Sequence, residues 1–241
     1  NETDADKFSQ WYNSSQNWMT SIDVDFTDGF SGVSTIDYIV RNQEGTENYR
    51  VTVCMRETLT FDADWVITWN QILTNGENEI FVSFSDHAGN TVNTLGQGEQ
   101  PLFTIRKDII DPVISNNETD SSNYIPWYND QNALAANWLK NISIYFYDTG
   151  SSNIKEISYN IIHQDLTVSS HVIASEDVEI MQSFEDDWEI EWSDLHQGIN
   201  TVQVAVIDHA GNYVSEDMFI VKKDTNSPTM NDKGLVKDST Q

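Results

Sequence analysis

The sequence predicts an all-β chain built as two tandem antiparallel β-sandwiches, and three observations carry that prediction. The pentapeptide Asp86-His87-Ala88-Gly89-Asn90 recurs intact as Asp208-His209-Ala210-Gly211-Asn212. Each copy closes a run with apolar residues at every second position, Ile80, Val82 and Phe84 in one and Val202, Val204 and Val206 in the other. That period marks a half-buried strand, and the Ala-Gly-Asn after it reads as a turn in which Gly is free to take positive φ. No segment shows a sustained helical period with caps, whereas short alternating runs separated by turn residues recur along the whole chain.

The repeat length follows from flanking landmarks. Asn1-Glu2-Thr3-Asp4 recurs as Asn117-Glu118-Thr119-Asp120, Trp11-Tyr12-Asn13 as Trp127-Tyr128-Asn129, and Lys107-Asp108 with Pro112 as Lys223-Asp224 with Pro228. Each pair lies 116 residues apart. The expected organisation is therefore repeat one over 1–112, repeat two over 113–228, and a tail or the start of a further repeat over 229–241.

Within each repeat the elements come in the same order. Ile22, Val24 and Phe26 alternate and stop at Asp28, as Ile142, Ile144 and Phe146 stop at Asp148. A Gly/Ser loop follows each, then Ile36–Val40 or Ile157–Ile161, then a variable middle that includes 51–55 and 178–182. Next come Trp65-x-Ile67-x-Trp69 and Trp188-x-Ile190-x-Trp192, expected to turn one face inward while Glu189 and Glu191 take the wet face. The strand ending at Asp86 or Asp208 and a last strand near 102–105 or 218–221 complete about seven strands per repeat.

Composition bounds the function. The chain has 241 residues, with 12 Lys and Arg against 39 Asp and Glu, a net charge of −27. Such a chain repels nucleic acid and anionic membrane surfaces and attracts divalent cations. There is no apolar run of the length needed to span a bilayer. Residue 1 is Asn and no signal peptide is evident, so a processed product or a segment of a longer protein is expected. The single Cys54 excludes an internal disulfide and reads as a partly buried structural thiol. Four sequons, at Asn1, Asn13, Asn117 and Asn141, permit N-glycosylation in a secreted protein.

The series Trp-x-Ile-x-Trp, Gly-x-Asn, Asp-x-Ala-Gly-Asn, Lys-Asp-x-x-x-Pro resembles the tandem immunoglobulin-like repeats of prokaryotic surface proteins, as in adhesins, S-layer proteins and large modular exoproteins. The resemblance covers nearly the whole chain and implies two immunoglobulin-like sandwiches at the cell surface or outside the cell. It departs from antibody-type domains in lacking their paired cysteines, so tryptophans are expected to fill the core instead.

Most chemistry-bearing residues have a structural reading. All eight tryptophans fall into repeat pairs, which suits core or packing roles better than a sugar platform; a carbohydrate site is expected only around Trp11 or Trp127. His87 and His209 sit in the turn, and no metal-ligand spacing such as His-x-x-x-His is present. The acidic runs read as a solvated face, since a glycosidase pair needs a cleft.

The strand-end aspartates are different. In an immunoglobulin-like sandwich the loops after the second and sixth strands share a pole, and the linker from repeat one must arrive at that pole of repeat two. Asp108 and Asp111 of the linker should therefore meet Asp148 and Asp208 and hold Ca2+, which takes six to eight oxygen ligands. The competing reading is that these aspartates cap turns. The function expected is a non-enzymatic structural module of an S-layer, surface filament or adhesin stalk, self-associating into an array or filament. A carbohydrate-binding or other ligand-binding accessory module of a secreted protein is the alternative.

Overall fold

The computed structural model describes residues 5–43, 45, 47–95, 100–117, 121–135, 137–177 and 180–230. The chain is all-β, with two main sheets packing as sandwich-like domains. The first domain contains β1 (Trp11–Tyr12), β2 (Phe26–Thr27), β3 (Val33–Asn42), β4 (Glu47–Thr58), β5 (Thr60–Phe61), β6 (Gly76–Asp86), β7 (Thr91–Asn93) and β8 (Phe103–Lys107). Its main sheet runs β1-β8-β6-β3-β4, with β7 alongside β6, and β2 pairs with β5 opposite. The second contains β9 (Val113–Asn116), β10 (Trp127–Tyr128), β11 (Ile144–Tyr147), β12 (Ile154–His163), β13 (Val168–Ser175), β14 (Ser183–Phe184), β15 (Gly198–Asp208) and β16 (Tyr213–Lys223). Its main sheet runs β10-β16-β15-β12-β13, facing the three-stranded β14-β11-β9.

The period-two runs become the long strands for the expected reason. Along β15 the buried positions Val202, Val204 and Val206 face the core, and on β12 so do Ile157, Tyr159 and Ile161. Each domain keeps its own apolar core. One gathers Ile142, Ile144, Phe146, Trp188 and Val204, the other Met19, Ile22, Tyr38, Trp65 and Ile80, and no core cluster of the described residues mixes the two. At about 25 cal/mol per Å2, each buried aromatic or branched side chain contributes roughly 1.5–3 kcal/mol.

The tryptophan triplets face inward but are not strands. Trp65, Ile67, Trp188 and Ile190 are buried while Glu189 and Glu191 are exposed, so the alternation holds. Each triplet makes one isolated bridge, Ile22 with Trp65 and Ile142 with Trp188. The first then bends into the helical turn α1 (Trp69–Ile72) and the second into a 3-10 turn, Trp192–Asp194. The indole of Trp65 lies 5.0 Å from Tyr38 and that of Trp188 5.1 Å from Tyr159, tilted at 30° and 31°. In the variable middle of the second domain the strand is Val168–Ser175 rather than 178–182, of which 178 and 179 lie outside the described residues. Cys54 falls in β4, and the surroundings of its side chain also lie outside them.

Candidate metal centre

Three of the strand-end aspartates converge. Asp108 follows β8, Asp148 follows β11 and Asp208 ends β15, and one carboxylate oxygen of each lies within 4.8 Å of the others. All three are buried, Asp108 and Asp208 completely. The fourth expected ligand, Asp111, is exposed and stands outside this group.

The second domain supplies a socket. Asp208 N–H donates to the Asn212 carbonyl at 3.1 Å, closing the turn in which Gly211 takes φ of 89°. In return the Asn212 N–H and side-chain amide donate to the two Asp208 carboxylate oxygens at 2.8 and 2.7 Å. Asp148 N–H donates to Gln182, and its Oδ1 accepts from Gly150 N–H at 2.7 Å.

The first domain supplies the segment that fills it. Asp108 N–H donates to the Tyr12 carbonyl, and its Oδ1 accepts from Ile110 N–H at 3.0 Å, which fixes the linker's first turn. Asp108 Oδ2 accepts from the N–H groups of Ser151 and Ser152, both at 2.7 Å. The Asn212 amide donates to the Asp108 and Ile110 carbonyls at 3.1 and 3.2 Å. β9 then adds to β11, with Ile114 opposite Phe146 and Val113 opposite Tyr147. Gly150 permits the close approach, because a Cβ there would come within 2.6 Å of Asp108 Oδ1 and closer still to Oδ2.

Not every oxygen is satisfied. Asp148 Oδ2 is buried with no hydrogen-bond partner within the protein, and so is the Ser152 hydroxyl on the same loop. Burial pushes the Asp148 carboxyl above its ordinary range, with the charges of Asp108 and Asp208 adding to the shift and Gly150 N–H opposing it. Burial pushes Asp208 up too, against the hydrogen bonds of Asn212. An orphaned carboxylate oxygen beside two other buried carboxylates is a donor set for a hard cation. Oxygen ligands 2.3–2.6 Å from one hard cation lie at most about 5 Å apart, and the spacing of these three oxygens falls within that limit. Turn capping is present as well: Asp148 Oδ1 accepts from Gly150 N–H and Asp208 Oδ1 from Asn212 N–H.

Other anticipated sites are placed as follows. Trp127 is half exposed, while Trp11 is half-buried beneath the Arg106 guanidinium, 5.7 Å from its ring. Asn117 and Asn141 are exposed, Asn13 is partly covered beside Gly211, and Asn1 lies outside the described residues.

Sequence reasoning missed the buried amides Asn78 and Asn200. Asn200 accepts from His196 N–H, donates to the carbonyls of His196, Gly198 and Val221, and meets His163 Nδ1 at 2.8 Å. Its signal was the Gly-x-Asn that recurs in both repeats, which the sequence offered only as one motif of the series. The paired lysines were also read only as landmarks. Lys107 Nζ donates to the Trp69 and Leu73 carbonyls, and Lys223 Nζ to those of Trp192 and Leu195, each ammonium lying over the matching indole.

No family model and no curated protein matches the chain. Among solved structures, it is similar to a tetra-tandem repeat in the extending region of a large adhesion protein, at 15% identity over 82% of this chain, with a TM-score of 0.34. The match spans 44% of that protein's chain. It is also similar to the fibronectin(III)-like modules of Clostridium thermocellum CbhA, at 13% identity over 92% of this chain and 95% of that one, with a TM-score of 0.26. At these scores neither likeness bears on function. No helix of the described residues is long and apolar enough to cross a membrane.

Proposed function

We propose that the chain is a non-enzymatic structural module of a prokaryotic cell-surface assembly, an S-layer, surface filament or adhesin stalk. Its two immunoglobulin-like repeats, 1–112 and 113–228, are joined end to end, and Ca2+ stiffens the joint. The supporting observation is that Asp108 of one domain is buried against Asp148 and Asp208 of the next, leaving Asp148 Oδ2 without a partner. Three buried carboxylates repel one another unless protonated or neutralised, and a divalent ion relieves that repulsion. The ion would be held by these three residues, with Ser152 Oγ a neutral oxygen on the same loop, and its role would be to fix the angle between two rigid bodies.

Small-angle scattering with and without chelator, paired with calcium titration calorimetry, tests this reading. Calcium should narrow the distribution of interdomain angles and raise the melting temperature by mass action. Unchanged scattering together with no binding heat would remove the ion and leave the aspartates as turn caps. Trp127 keeps the carbohydrate-binding alternative open to test, since half of its surface is exposed; glycan-array binding lost in Trp127→Ala would favour it.

A further inference from the structure

The joint inside this chain is one complete copy of a contact whose two halves recur, open, at its two ends. The first domain carries the same socket as the second. Asp86 N–H donates to the Asn90 carbonyl at 3.0 Å, and the Asn90 N–H and side-chain amide donate to Asp86 at 2.7 and 2.6 Å, matching Asp208 and Asn212 bond for bond. Asp28 N–H donates to Leu59 as Asp148 N–H does to Gln182, and His87 N–H to Gly32 as His209 N–H does to Asn153. Asp28, Asp86 and Asn90 line one open depression with Thr27 and Thr91. Asp28 and Asp86 are half-buried and Asn90 is exposed, whereas Asp148, Asp208 and Asn212, which the linker covers, are all buried. The volume that the linker fills in the second domain is thus open in the first.

The other end of the chain carries the same plug. Asp224 N–H donates to the Tyr128 carbonyl at 2.8 Å, as Asp108 N–H does to Tyr12. Asp224 Oδ1 accepts from Asn226 N–H at 3.0 Å, as Asp108 Oδ1 accepts from Ile110. The turn is formed in advance, with Asp224 and Asn226 exposed and Thr225 half-buried, its N–H donating to Gln197 Oε1 at 3.0 Å.

The strand that accompanies the plug is also wanted. β11 is paired on both sides, by β14 and β9, but β2, its counterpart, is paired by β5, with no strand of the described residues on its other edge. In the repeat offset, Pro228 matches Pro112 and Met230 matches Ile114, the residue opposite Phe146. Phe26 is the counterpart of Phe146, each pairing with a phenylalanine on the facing strand, Phe61 or Phe184. Met230 is 93% exposed, and Phe30 at the socket rim is 98% exposed.

We propose that residues 223–230 of one copy dock into the Asp28/Asp86/Asn90 socket of a second copy, joining chains head to tail. Asp224 takes the place that Asp108 holds inside the chain, and Met230 lies along the free edge of β2. Such a contact is heterologous, so it propagates into a filament rather than closing into a dimer. The step rests on the cation reading above, because a third carboxylate brought to Asp28 and Asp86 needs the same neutralisation.

Sedimentation velocity on the whole chain tests it, at about 0.15 M salt to shorten the range of acidic repulsion, with Ca2+ or chelator and rising protein concentration. Calcium should produce a ladder of oligomers that chelator returns to monomer. Thr91→Trp, which fills the depression that Thr91 lines, and Asp224→Ala, which blunts the plug, should each remain monomeric. Their mixture should stop at dimers, since it holds one working socket and one working plug. Both positions are exposed, and circular dichroism confirms folding of each variant. Wild-type monomer at every concentration with calcium, or oligomers that both variants still form, would overturn the proposal. Calorimetry on the Asp224→Ala monomer separates the two readings. Heat of one ion there with no assembly of the parent sinks only the head-to-tail contact, whereas no heat sinks the calcium joint itself.

Discussion

Asp86 and Asp208 end equivalent strands and accept the same two hydrogen bonds, from Asn90 and from Asn212, yet their carboxyls are shifted in opposite directions. The side-chain amide of Asn90 leads in holding Asp86 below its ordinary value, because water still reaches the group. Burial lifts Asp208 above it, although Asn212 pulls the other way. Asp28 and Asp148 repeat the contrast: backbone N–H groups of Phe30 and Gly32 lower the first, and burial raises the second. The carboxyls that the linker covers are thus pushed toward the neutral form, whereas their counterparts in the first domain are held as anions. That electrostatic load is what a cation would relieve.

Asp148→Asn isolates this load. Asp148 Oδ1 already serves Gly150 N–H, so an amide nitrogen at the Oδ2 position removes a buried charge and keeps the turn. Without divalent ions the variant should melt higher than the parent, by about 1 kcal/mol or several degrees. With calcium the order should reverse, because the parent gains a ligand the variant lacks. The pH dependence has a definite sign. Asp148 and Asp208 have folded-state values above the ordinary 3.8, so between that value and the raised ones the folded chain holds more protons than the unfolded chain. Their contribution to metal-free stability is therefore present at low pH and lost as pH rises through the raised values. Calcium affinity should move oppositely, rising over the same window as the carboxyls deprotonate. Thermal melts of parent and variant from pH 4 to 7, with and without chelator, check both slopes; a parent-minus-variant difference independent of pH contradicts the assignment.

Gly150→Ala tests the joint without touching a carboxylate. The added methyl group meets both Asp108 oxygens inside normal contact distance. Asp108 must then withdraw from the Ser151 and Ser152 N–H groups. The expected outcome is weaker calcium binding, about tenfold or more, and a wider angular spread in scattering. Each domain should keep its far-ultraviolet dichroism, because Gly150 lies in a loop outside either apolar core. The same change at Gly29 should leave the joint unaltered, since nothing lies within 4 Å of that position.

The parts legible in the sequence were those governed by period and repetition. Alternation located β6 and β15, and the repeated Asp-x-Ala-Gly-Asn located the turn whose Gly89 and Gly211 take φ of 90° and 89°. Chain polarity was enough to bring Asp108 to Asp148 and Asp208. Exposed Asp111 shows the limit of that logic, because polarity places a linker at a pole but does not orient each side chain. Trp65-x-Ile67-x-Trp69 shows another: period two fixes which side chains turn inward, whereas ladder hydrogen bonds depend on a neighbouring backbone that alternation does not report. Asn78 and Asn200 were illegible for a third reason. The Gly-x-Asn repeat shows that the position recurs, and only the surrounding carbonyls, set by tertiary structure, reveal that its Asn is buried.

Those asparagines are the last test of the fold. Asn78 is completely buried, accepts from Thr74 N–H at 3.0 Å, and donates to the carbonyls of Thr74, Gly76 and Ile105. Asn200 repeats each of these with His196, Gly198 and Val221. Each amide therefore ties the loop before the long strand to the last strand beside it, across a glycine held at φ near 100°. Replacing Asn200 by Leu strips these buried and partly buried carbonyls of a donor and the His196 N–H of its acceptor. Unsatisfied buried groups lose about 1–3 kcal/mol each, and partial relaxation should leave a net loss of roughly 2–4 kcal/mol for the second domain. Asn200→Asp should also destabilise, because a carboxylate cannot donate to the three carbonyls that the amide serves. The first domain should be unaffected, as its core shares no cluster with the second. Chemical denaturation followed by hydrogen exchange in the two domains separates these outcomes. Equal loss of protection in both would show that the sandwiches unfold as one unit, whereas loss confined to residues of the second would show that the joint couples their orientation and not their stability.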